Sequence, residues 1–126
     1  HGAAYARAQN ARAGFVEAYD RALSTVDLLA MPTTRTVAPR VDPAPDDPRQ
    51  VIEENLARNW IVLPMAYNTK PTNYTGHPAI AIPCGKIDGL PTSLQLVGRN
   101  FEDGLVLRAA YAFQQCVDWE AYTRVE

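Results

Sequence analysis

Two short apolar runs flank an Asp-Gly pair: Ala79 to Pro83 (AIAIP) on one side and Ser93 to Val97 (SLQLV) on the other, with Asp88 and Gly89 between them. Asp-Gly tolerates the positive φ angles of a two-residue hairpin turn, so this stretch is expected to fold back on itself as antiparallel neighbours. A lone hairpin is at best marginal in water and needs a packed face. The remainder of the chain must supply that cover.

Helical periodicity supplies the candidates. Asn100 is placed to cap a helix with Asp103 three positions on, and Leu105, Ala109, Ala112, Phe113 and Cys116 then share one face. A helix is expected over roughly 101–117, with Cys116 in the core. Near the start, Ala8, Ala11, Phe15, Ala18, Tyr19 and Ala22 recur at steps of three and four. They predict one amphipathic helix from Ala3 to Leu23, supported by an exposed Glu17 to Arg21 pair worth about 0.3 kcal/mol. No capping side chain precedes that pattern, so the sequence reads as opening inside a helix, as a part of a longer polypeptide would.

Val26 to Met31 (VDLLAM), halted by Pro32, reads as a buried strand. Pro39, Pro43, Pro45 and Pro48 then make 37–48 a proline-rich internal loop. Asp47, Pro48 and Gln50 form a capping arrangement for another helix reaching about Trp60, with Ile52, Leu56 and Trp60 on one face. From Pro64 to Pro78 neither period persists, and a long structured loop is expected, rich in groups that bind. The sum is an α/β chain with about three helices and three or more short strands.

Charge and composition narrow the partners. With 126 residues, 12 basic against 14 acidic side chains and a formal charge of -2, the chain lacks the positive field that a nucleic acid partner requires. No apolar run approaches the roughly 18 residues of a membrane span, and no signal peptide is visible. The two cysteines, Cys84 and Cys116, form no CxxC pair and no disulfide framework, which fits a cytoplasmic location. His1 and His77 are the only histidines and no carboxylates bracket them at ligand spacing, so no metal site is expected. Gly85, Lys86 and Gly89 match neither a dinucleotide fingerprint nor a P-loop, and no cofactor is called for.

The inventory for nucleophilic catalysis is thin. Ser24 and Ser93 are the only serines, and neither sits in a glycine-rich elbow. Cys84 with His77 and Asp88 could make a thiol constellation; the simpler reading is a half-buried thiol after a proline, with His77 stacked on a neighbour. Lys70 could approach a carboxylate ligand and is otherwise a solvated loop residue. Tyr67, Asn68, Asn73 and Thr75 gather donors and acceptors beside apolar strands, in a pattern that also suits loop stabilisation.

The run from Asn73 to Gly85 (NYTGHPAIAIPCG), followed by Gly89 to Gly98 (GLPTSLQLVG), resembles the C-terminal segment of the amidase signature family. In that family an N-x-x-G-x-P-A strand ends in P-C-G, a G-L-P-x-x-L-Q strand follows, and a helix begins near F-x-[DE], as at Phe101, Glu102 and Asp103. The earlier VDLLAMPTTRTVAP is similar to the family's strand and A-P loop. The similarity runs from about Phe15 to Phe113.

The resemblance implies an α/β/α amidase fold around a mixed sheet, of which 1–126 is an incomplete C-terminal portion. It implies hydrolysis of carboxylic amides through an acyl-enzyme on a serine, assisted by a second serine and a lysine. Lys70, Lys86, Ser24 and Ser93 do not match those motifs, so no catalytic residue is expected in this chain, which should be inactive alone. The implied partners are the N-terminal portion of the same amidase and a small-molecule amide; a homo-oligomer is left open. By the same resemblance, Trp60, Tyr67 and Asn68 are candidates for shaping the acyl pocket. In the glutamyl-tRNA amidotransferase branch an acidic residue usually stands seven positions before the asparagine matched to Asn73, where this chain has Ala66. A methyl group cannot pair with a substrate ammonium. Alternatives are a non-catalytic binding or assembly module, an amidotransferase subunit fragment, and a thiol enzyme using Cys84. A C-terminal piece should also leave apolar sheet and helix faces uncovered.

Overall fold

The computed structural model describes residues 2–39, 47, 49–50, 52–53 and 65–124. Its elements are α1 (Gly2–Leu23), β1 (Leu29–Pro32), α2 (Lys70–Thr75), β2 (Ala79–Ile87), β3 (Leu90–Val97), α3 (Asp103–Cys116) and α4 (Trp119–Thr123). The architecture is α/β, with a three-stranded sheet in the order β1-β3-β2, and both pairings are antiparallel.

The hairpin forms as its turn chemistry requires. Asp88 and Gly89 have φ of 51° and 77°, and Ile87 pairs with Leu90 directly beyond them. Both strands run further towards the turn than their purely apolar stretches, and the register shifts between Pro83 and Gly85. Cys84 is the extra residue of this bulge. Strand β1 lies along the other edge of β3, with Leu29 opposite Val97 and Pro32 opposite Leu94.

One sheet face carries Ile82 and Leu96, buried with Val106 and Ala110 of α3. Leu28, Ile80, Leu94, Ala109 and Phe113 pack around them. Full burial of each Ile, Leu or Val contributes about 1.5–3 kcal/mol, so this small cluster holds helix to sheet. The helix starts later than Asn100 suggests. Phe101 sits at φ 67° and is 99% exposed, and Glu102 takes the capping position without a side-chain cap bond. The Glu102 carboxylate is instead 3.0 Å from Arg99 Nη1. Cys116 is exposed rather than in the core, as is Ala112, because the covered face of α3 ends at Phe113.

The link between α1 and β1 is tied to the segment that leaves β3. Arg99 donates to the carbonyls of Leu23 and Val26, each at 3.0 Å, and its guanidinium lies 3.5 Å from Asp27. These bonds use the backbone of Val26 for the turn, and the strand therefore begins at Leu29 rather than at Val26. Leu23 is fully buried, whereas most of α1 is exposed, including Phe15 at 51%. Tyr67, Leu107 and Tyr111 are also exposed apolar groups.

The segment expected to be a loop before Pro78 contains α2. Its six residues (KPTNYT) have no apolar period to announce a helix; Pro71 is tolerated in the first turn, and Gly76 closes it at φ 88° by donating to Thr72 O at 2.8 Å. Asp47 Oδ1 accepts from the Arg49 N–H at 2.9 Å, and residues 49–50 and 52–53 are helical. The rest of that expected helix, Trp60 included, and most of the proline-rich loop lie outside the described residues. No helix among the described residues is long and apolar enough to cross a membrane.

Gly98 is where β3 meets α3. A Cβ there would sit 2.6 Å from Val106 Cγ2, inside the core cluster. Gly98→Ala is therefore expected to destabilise the fold by about 1–3 kcal/mol through overpacking, measured as a lower urea midpoint with an unchanged slope.

Candidate functional site

Residues from three separated stretches meet at the end of β1. Gln95, 3% exposed in the middle of β3, donates through Nε2 to Asn68 O at 2.9 Å. Asn68 in turn donates through Nδ2 to Pro32 O at 2.6 Å. This relay satisfies a buried amide and holds the stretch before α2 against the exit of β1. The Asn68 side chain thus holds backbone in place. Next to it, Tyr67 is 60% exposed, and the Arg35 guanidinium carbon stands 5.4 Å from its ring centroid.

A cavity of about 340 Å³ opens between the segment after β1 and the turn end of the hairpin. Pro32, Val37, Ile87 and Leu94 give it apolar walls, and Arg35, Cys84, Thr92 and Ser93 line it as well. A second cleft, of about 370 Å³, is lined by Thr34, Pro39, Met65, Ala66 and Thr69. Thr34 lines both. The volumes are those of small-molecule sites.

The thiol constellation does not assemble. His77 is buried, with Nδ1 3.0 Å from Thr75 Oγ1 and Nε2 3.1 Å from Asp20 Oδ1. Each ring nitrogen thus has a polar partner, the Thr75 hydroxyl at Nδ1 and the Asp20 carboxylate at Nε2. The ring leans on Tyr19 at 5.2 Å, where burial raises the tyrosine's pKa. Cys84 is exposed, its Sγ 3.9 Å from Thr92 Oγ1, and Asp88 is spent in the hairpin turn. The Ser24 hydroxyl donates to Arg21 O at 2.7 Å and closes the end of α1. Lys70 opens α2, and its N–H donates to Ala66 O at 3.0 Å.

Of the sequence candidates, Tyr67 and Asn68 touch two residues of the first cavity, Arg35 and Pro32, and are not among the residues that line either cleft, while Trp60 lies outside the described residues. Arg35, Gln95 and Asp20 were not singled out by sequence reasoning. Gln95 had a visible signal, a lone amide inside an otherwise apolar strand. Arg35 and Asp20 had none, since their partners are distant in the chain.

Asn68→Ala is expected to cost about 1 kcal/mol, the net worth of one hydrogen bond. Asn68→Asp should cost more, because it sets a carboxylate against the Pro32 carbonyl. Equilibrium urea unfolding of the two variants checks that order.

The comparisons with known proteins agree with one another. Residues 1–107 match the Amidase family. A glutamyl-tRNA(Gln) amidotransferase subunit from Roseiflexus castenholzii is 37% identical over 115 residues, 91% of this chain and 21% of its own length. Among solved structures, the glutamyl-tRNA(Gln) amidotransferase subunit from Thermotoga maritima superposes with a TM-score of 0.73 at 25% identity, over 98% of this chain and 25% of its own. A bacterial aryl acylamidase of the amidase signature family gives 0.67 at 27% identity, over 90% of this chain and 23% of its own. The chain spans about a fifth to a quarter of these relatives. On the family match and the shared fold, this chain belongs to the amidase signature family.

Proposed function

We propose that this chain is the C-terminal part of a serine-dependent amidase that hydrolyses carboxylic amides through an acyl-enzyme, with its two serines and lysine in an N-terminal part that precedes it. The observation that carries the reading is the family match over residues 1–107. On this reading the chain supplies walls: Tyr67 and Asn68, and Trp60 by extension, border the acyl side of the substrate. The partner is the N-terminal part of the same enzyme, and the substrate a small amide.

Ala66 refines the substrate. It lines the second cleft with Met65 and Thr69, where no charged side chain among the described residues accompanies it. An amide without an ammonium group suits such a surface better than glutamine does. A second reading, a fragment of an amidotransferase subunit, is supported by the name of the Roseiflexus relative at 37% identity.

Co-expression with the N-terminal part of an amidase signature enzyme tests both. Benzamide hydrolysis by the reassembled protein, with none by either part alone, is the expected result. Glutamine hydrolysis in place of benzamide would favour the amidotransferase reading. A stable complex without turnover of either amide would refute the amidase assignment and leave a binding module. In the active complex, Tyr67→Ala should raise KM for benzamide about 3–10-fold, the loss of one aromatic contact of about 1 kcal/mol.

A further inference from the structure

The cavity at the end of β1 combines apolar walls with a single charged side chain among the described lining residues. Its apolar residues come from three strands and a loop: Pro32 and Val37 on one side, Ile87 and Leu94 on the other. Ile87, 56% exposed, presents an apolar side chain to the cavity. Arg35 is the one charged side chain among the described lining residues. No carboxylate among the described residues pairs with it, and its guanidinium is seated over the face of Tyr67. A cation held over a ring engages its flat face, which leaves the in-plane N–H donors for an acceptor. Thr92 and Ser93 add hydroxyls at the same cavity.

We propose that this cleft binds a small monocarboxylate with an apolar body, the carboxylate on the Arg35 guanidinium and the body between Val37, Ile87 and Leu94. A volume of about 340 Å³ admits one such molecule. A planar carboxylate can take two parallel bonds from a guanidinium, whereas a phosphate dianion would leave one of its charges without a cation in this lining. The inference stands apart from the acyl-transfer reading, since binding is read without turnover.

Cys84 makes the cleft observable. It lines the cavity and is exposed, and Cys116 is exposed on α3, away from the lining. Alkylation of both thiols by iodoacetamide, followed peptide by peptide by mass spectrometry, is measured while benzoate is titrated against the polypeptide. Saturating benzoate is expected to slow Cys84 at least tenfold and leave Cys116 unchanged. Arg35→Gln should abolish this protection, with circular dichroism confirming that the exposed substitution leaves the fold intact. Benzamide, of the same shape without the charge, should need at least tenfold higher concentration than benzoate in the unaltered protein, a comparison that requires no variant. Equal slowing of both cysteines, no slowing, a Cys84 that does not alkylate, or equal protection by benzamide would each overturn the proposal.

Discussion

The hairpin of β2 and β3 can exist only while one of its faces is dry. Ile82 and Leu96 lie across from the helix residues Val106 and Ala110, and this contact decides where everything else is placed. Gly98 permits it: with no side chain there, the chain leaving β3 can approach Val106 closely enough for α3 to lie down on the sheet. Because α3 follows β3 after only a few residues, the core is built largely from neighbours in sequence. That arrangement makes the loop-closure cost small.

The other elements are fastened by polar bonds rather than by a second large core. Arg99 reaches back to Leu23, Val26 and Asp27, and α1 meets α2 through Arg12 Nε on Tyr74 O at 2.8 Å and through an edge-on contact of Phe15 with Tyr74. The Tyr74 hydroxyl donates to Ala8 O, and His77 closes the row on Asp20. Most of these groups are partly exposed, where individual ion pairs contribute little. The buried links, Leu23 and His77, carry more of the attachment. The clefts around Thr34 lie on either side of the segment after β1, which is fixed at its start by Asn68 on Pro32 O and by Thr33 N–H on Ser93 O.

The elements that were legible in the sequence are those whose cause is local. Asp88-Gly89 named the turn, the apolar steps of Ala3 to Leu23 named α1, and the periodic face around Ala109 and Phe113 named α3. Where local signals competed with distant partners, the distant partners won. Asn100 looked like a cap, yet Glu102 is drawn to Arg99, and the helix begins only after the turn at Phe101. The stretch before Pro78 looked irregular because α2 is under two turns long and polar, stabilised by Thr72 Oγ1 on Thr69 O and by its contacts with α1. The candidate site divides in the same way: Tyr67 and Asn68 were marked by residue type, whereas Arg35 acquires meaning only from the ring beneath it.

From its residues alone this chain was bound to make a hairpin, two amphipathic helices and a motif order similar to that of amidases, because turn angles, side-chain periodicity and spacing are properties of neighbouring residues. Which carbonyl Asn68 would hold, whether His77 would face Asp20 or Cys84, and how the segment around Arg35 would border a cavity were decided by the tertiary structure. Those outcomes depend on distances between residues tens of positions apart, and such distances exist only once the sheet and its helices have packed.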